Sequence, residues 1–147
     1  MSSMTRKQTT TKTSTINRAT SASRFERYCR GLETWPHSWM GWEKDLPPGE
    51  KLVGCFRPFL EHLVDSDLSP KTIQKHVDNL WALGGEIIRE MNENPSLRKK
   101  DIDKVLNERI DEEGGPLVYA LESEEALQRS LDSTCRKLYR FRSESSH

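Results

Sequence analysis

The side chains of this 147-residue sequence best suited to chemistry are its clustered cations and its clustered indoles. Lys71 and Lys75, accompanied by Thr72, Gln74 and Asn79, lie at the start of a long amphipathic stretch. Ser69 is a favourable N-cap for it and Pro70 suits the first helical position. The two lysines then occupy the first two turns, where free backbone amides and the helix dipole already favour an anion. At about 100° per residue, Lys71, Lys75 and Arg89 fall opposite the apolar stripe, on an outer face shared with Asp78 and Glu86. A second set, Arg129, Arg136 and Arg140, aligns on one face of the last amphipathic stretch. Lys137 and Arg142 flank it and Tyr139 lies among it. Five basic residues stand against one acid over residues 129–142. The pattern suits phosphate contacts. An ordinary solvated face, with cations favoured near a helix C-terminus, accounts for it as well.

Trp35, Trp39 and Trp42 fall within eight residues. Trp39 and Trp42, three apart, are expected on one face of a short helix opened by Pro36. The cluster reads either as a hydrophobic lid on the core or as an exposed hot spot for a protein partner or a stacked base.

No catalytic constellation is visible. His37, His62, His76 and His147 form no HxxxH or HExxH pair, and no cysteine stands at metal-ligand spacing from them. Phosphate-loop, dinucleotide and nucleophile-elbow motifs are absent from the sequence. The acid pairs Glu112-Glu113 and Glu124-Glu125 read as charges at helix ends. The expectation is therefore a non-enzyme without metal or cofactor. Cys29, Cys55 and Cys135 are odd in number and widely spaced. Free thiols in a reducing cytoplasm are expected rather than a disulfide framework.

The elements that must position these groups are helical nearly throughout. Apolar residues make up 33% and charged residues 31% of the chain, enough for one modest core. No run approaches the ~18 apolar residues of a membrane span, and no apolar secretory segment is present. The formal net charge is zero, but both ends are basic and the middle acidic, which argues against nonspecific nucleic-acid coating and leaves local phosphate contacts open. Residues 1–23 are Ser/Thr-rich and nearly devoid of apolar side chains, which predicts a disordered tail. It is a solvated tail, an arm that tracks phosphates, or a transit-like segment.

A short helix is expected over 24–34, and Pro47-Pro48-Gly49 is expected to break the chain. A helix follows through Leu52, Val53, Phe56, Phe59, Leu60 and Leu63, kinked or begun at Pro58. The Ser69–Met91 helix buries Ile73, Val77, Leu80, Trp81, Gly84, Ile87, Ile88 and Met91 and ends at Asn94-Pro95. Gly84 on that stripe points to close approach of a second helix, or to a break. A helix capped by Asp101 carries Ile102, Val105, Leu106 and Ile110 inward until Gly114-Gly115-Pro116 stops it. Leu117, Val118 and Tyr119 make an apolar connector or stray strand. The last helix begins near Ser123 and presents Leu127, Leu131, Thr134, Cys135, Leu138 and Phe141. The fold class is all-α, a small bundle of four to five helices. One domain spans 24–142, with a Trp-rich extension over 24–49 and the bundle proper over 50–142. Residues 143–147 are expected to be disordered.

The run Leu68-Ser69-Pro70-Lys71-Thr72-Ile73, the helix it opens, the preceding Phe59-Leu60-Glu61-His62-Leu63 and the order of the later helices resemble the small DNA-binding module of tyrosine recombinases of the phage-integrase type. The resemblance covers roughly residues 50–142. It implies a SAM-like core-binding domain of bacterial type, with Lys71, Thr72, Lys75 and Asn79 at the family's DNA-contacting positions. The family's catalytic domain, with its arginine, its lysine or histidine and its nucleophilic tyrosine, has no counterpart here, so strand cleavage is not implied. The expected function is DNA binding as an accessory or regulatory factor through Lys71, Lys75, Arg129, Arg136, Lys137 and Arg140, with Thr72 and Asn79 beside them. The alternative is a protein-interaction adaptor that uses Trp35, Trp39 and Trp42.

Overall fold

The structure is a computed structural model and describes residues 23–118 and 124–145. The expectations for residues 1–22, Tyr119 and the start at Ser123 lie outside the described residues. The fold is all-α, and among the described residues no strand forms. Helix α1 covers residues 23–29 and α2 covers Trp35–Trp39. The long helices α3 (Leu46–Val64) and α4 (Pro70–Glu93), the short α5 (Ile102–Asn107) and the long α6 (Glu125–Ser145) follow. Single 3-10 turns at Leu32–Thr34, Glu43–Asp45 and Pro95–Lys99 join them.

The start of α4 is set locally. The Ser69 hydroxyl accepts from the Thr72 amide at 3.2 Å while Pro70 occupies the first turn. Its apolar positions repeat at helical spacing, and Ile73, Val77, Leu80, Leu83, Ile87, Ile88 and Met91 are all buried. They pack against Leu52, Phe56, Phe59, Leu60 and Leu63 of α3 and Leu131 and Leu138 of α6. Each such side chain removed from water contributes roughly 1.5–3 kcal/mol.

Several expectations are corrected. Pro47-Pro48-Gly49 does not break the chain but forms the first turn of α3, where prolines lose no hydrogen bond because those amides have no intrahelical partner. Pro58 lies inside α3 rather than at its start. Helix α5 ends at Asn107, and Asp101 stands at its N-cap without a side-chain hydrogen bond. Gly114-Gly115-Pro116 therefore does not stop that helix. Gly114, at φ 144°, closes a turn with Asp111, and the Gly115 amide donates to Asp132 Oδ1 of α6 at 3.1 Å. Leu127, expected inward, is exposed because it lies in the first turn of α6. At the other end α6 continues to Ser145, past the expected domain boundary at 142.

Gly84 does receive a second helix, α2, which approaches it through the ring of Trp39. The Trp39 indole lies on it, so that an added Cβ would overlap ring carbons Cζ2 and Cη2. The indole Nε1 donates to the Trp81 carbonyl at 2.9 Å, and the Trp81 Nε1 donates to Ser38 Oγ at 2.9 Å. Helix α2 is thus keyed into the middle of α4. Trp81, expected on the buried stripe, is instead half turned out to solvent. Among the described residues no helix is long and apolar enough to cross a membrane.

Candidate nucleic-acid interface

Helices α4 and α6 bring one cation from each of the two sequence-separated sets, Lys75 and Lys137, to the surroundings of His76. They run antiparallel where they touch. His76 Nδ1 and Thr134 Oγ1 are 2.6 Å apart, and Asn79 Nδ2 reaches Ser130 O at 3.1 Å, Ser130 Oγ at 3.0 Å and Thr134 Oγ1 at 2.9 Å. Moving forward along α4 therefore means moving backward along α6. Lys75, beside His76, and Lys137, one turn past Thr134, are both close enough to His76 to act on it electrostatically. Lys71 lies one turn before Lys75, and Arg140 lies one turn after Lys137. Among the described residues none of Lys71, Lys75, Lys137 and Arg140 has a carboxylate within ion-pair distance.

His76 is 1% exposed. Burial, then the neighbouring charges of Lys75 and Lys137, push its imidazole down to about 4. The ring is neutral at pH 7, and its Nε2 has no hydrogen-bond partner among the described residues. An Nδ1–H tautomer donating to Thr134 Oγ1 leaves only a bare lone pair at Nε2, and a positive charge there would be buried without a counter-ion.

The other proposed contacts are distributed less favourably. The amide of Asn79, expected to face DNA, is committed to bridging α4 and α6, because its position in the helix lies beside the α6 seam. Thr72 is half-buried and its hydroxyl accepts from Ser69 Oγ at 2.9 Å. Arg129 is exposed and pairs at 3.7 Å with Glu125, one turn earlier. Arg136 is half-buried and donates to the Glu113 carbonyl at 3.2 Å, drawn there by the loop that docks on α6. Arg142, expected to flank the basic face, reaches back across the bundle to Asp103 at 2.9 Å and Asn107 at 3.0 Å.

The tryptophan cluster is divided. Trp35 and Trp39 are each 9% exposed and pack together with ring centroids 5.8 Å apart. They belong to the core, which removes them as a partner-binding hot spot. Trp42 is 63% exposed. It does not share a helical face with Trp39, because α2 ends at Trp39 and Trp42 lies in an extended conformation beyond it. The Lys44 ammonium lies 5.5 Å from the Trp42 ring centroid.

The opposite end of α4 is acidic and paired. Glu86, expected on the solvated face, is buried and holds the Arg89 guanidinium through both oxygens. Arg89 also meets Glu93 at 2.6 Å, and Arg109 meets Glu90 at 2.9 Å. Asp45 is 1% exposed and was not singled out by its sequence context. Burial alone would raise its carboxyl, but Arg98 at 2.6 Å, the amides of Gly41 and Trp42 and the Asn92 side chain outweigh burial and hold it at about 2.

The three thiols are free. Burial raises Cys29 and Cys55 to about 11 and Cys135 to about 12, so none is a poised thiolate. No group of three or more His, Cys, Asp and Glu among the described residues is arranged to hold a metal ion. Comparison with known proteins found no matching family model, no matching curated protein and no matching solved structure.

Proposed function

We propose that this chain is a non-catalytic DNA-binding module, an accessory or regulatory factor that works in a reducing cytoplasm. The observation that carries the reading is the set Lys71, Lys75, Lys137 and Arg140. These four cations come from two helices and lack a carboxylate partner among the described residues, whereas Arg89, Arg98, Arg109 and Arg142 are each neutralised. Unneutralised cations on a rigid helical seam suit a polyphosphate backbone, whose counterions they release on binding. The Leu68–Ile73 resemblance to the recombinase module supports the same reading. Thr72 adjoins Lys71 in the chain, and Arg136 is available once its carbonyl contact is given up.

The test is fluorescence anisotropy of labelled duplex DNA at rising salt. Four phosphate contacts predict about a hundredfold loss of affinity between 50 and 200 mM salt. Charge reversal at Lys75, Lys137 and Arg140 together should remove binding. Absence of binding at low salt, or binding indifferent to salt, would overturn the reading.

One observation favours a second reading, a protein-interaction adaptor. Trp42 is an exposed indole with a cation over its ring. In that case Trp42→Ala removes partner capture while the charge reversals leave it intact.

A further inference from the structure

Beside the cationic seam lies a groove between the end of α3, the loop that follows it and the last turns of α6. Its volume is about 440 Å³. That falls within the roughly 300–1,000 Å³ of sites for small organic ligands and exceeds what a bare phosphate fills. The groove has an aromatic layer. Phe141 lies 5.5 Å from Phe59 and 5.1 Å from His62, centroid to centroid. Phe59 is anchored in the core, Phe141 is half-buried and His62 is exposed at the edge. The rings are tilted against one another, by 55° for Phe59 and Phe141 and by 36° for His62 and Phe141, so the group is rooted in the core at Phe59 and offers Phe141 and His62 to the groove. Lys137 and Arg140 line the same groove.

We infer that this groove takes an unpaired nucleobase of a single-stranded nucleic acid, with Lys137 and Arg140 holding the adjoining phosphates. The inference rests on the phosphate-binding reading above and narrows it to a substrate class. An aromatic platform next to backbone-tracking cations is the combination that binds single strands with little sequence preference. A duplex can present such a base only after unpairing and unstacking it, at a cost of a few kcal/mol. Asp67 and Glu144 also line the groove, and neither forms an ion pair among the described residues. Two carboxylates disfavour a simple anion as the occupant and leave the uncharged, flat part of a nucleotide as the portion that enters.

The test uses the full chain and three labelled probes. One is a single strand of about 12 nucleotides, within the usual site sizes of proteins that bind single strands. The second is the same strand with abasic central sites, and the third is its duplex. The base-bearing strand should bind about tenfold more tightly than the abasic one, as expected for one stacked base. His62→Ala should erase most of that difference while leaving the abasic strand and the duplex unchanged. His62 is exposed, so this variant keeps the core. Phe141→Leu, checked for folding by urea titration, should act in the same direction, and Arg140→Glu should weaken all three probes. Equal affinity for base-bearing and abasic strands would overturn the inference and leave the phosphate reading standing. So would competition by polyglutamate as effective as that of the base-bearing strand, since the groove would then take an acidic chain. No binding of any probe would overturn both.

Discussion

The two ends of helix α4 are built from the same kinds of residue and put to opposite use. At the C-terminal end the carboxylates of Glu86, Glu90 and Glu93 are all held by the guanidiniums of Arg89 and Arg109, while Asn92 joins Arg98 around Asp45. At the N-terminal end Lys71 and Lys75, with Lys137 and Arg140 of α6, form no ion pair among the described residues, although Asp67 and Glu144 line the groove beside Lys137 and Arg140. The first end is closed electrostatically and can only stabilise. The second carries uncompensated charge whose field reaches about a Debye length into solution, which is the condition for recruiting an anionic partner. A cation's function here follows from its neighbours and not from its type.

The comparison breaks most sharply at Asp45. Asp45→Ala leaves Arg98 partly buried without its anion and the Gly41 and Trp42 amides without an acceptor. The expected loss is about 3–5 kcal/mol in urea unfolding, with the proposed nucleic-acid affinity unchanged wherever the protein stays folded. A loss below about 1 kcal/mol would mean that the closed end does not hold the fold, since the typical single mutation already costs that much.

The seam between the cationic helices predicts a pH response. His76 binds a proton at about 6.5 when unfolded but only near 4 when folded. The unfolded chain therefore takes up more protons between these values, and stability falls as pH drops from 6.5 towards 4. At 1.36 kcal/mol per unit the loss is about 3 kcal/mol. Asp45 adds its own loss only at lower pH, between about 4 and 2, because its folded value is depressed. Urea titrations at pH 7 and pH 4.5 measure the His76 step, and His76→Gln should flatten it. An unchanged slope in that variant would assign the response elsewhere.

Smaller effects sharpen the same contrast. Ser69→Ala removes the cap that starts α4 and should cost about 1 kcal/mol. It should also weaken the proposed nucleic-acid binding modestly, since Lys71 and Lys75 ride on the first two turns. The paired substitution Lys137→Glu, Arg140→Glu should change stability by less than about 0.5 kcal/mol, because among the described residues neither side chain has an ion-pair partner to lose. The closed end could not tolerate reversal of Arg98 so lightly. A large destabilisation from the Lys137 and Arg140 reversal would show that the open end is structural after all.

Much of the framework was legible from local pattern. The extent of α4, its Ser69 cap and the inward set on α3 all follow from spacing along one helix. The misplaced residues share a cause. Glu86 and Trp81 exchanged their expected environments because Trp39 enters α4 at Gly84 and rotates what that turn can bury. Pro47-Pro48 read as a break because the same dipeptide serves turns and first helical turns alike. His62 and Phe141 had no signal linking them, being on different helices 79 positions apart in a single chain.

The sequence alone determined the all-α class and the helical stripes, because each depends on interactions within a few residues along the chain. Only the tertiary structure decided which cations are neutralised and which tryptophans are buried. Arg98 meets Asp45 across 53 positions, Trp39 meets the Trp81 carbonyl across 42, and His76 meets Thr134 across 58. Pairing and burial at such separations are set by which helices pack together, and no local periodicity encodes that choice.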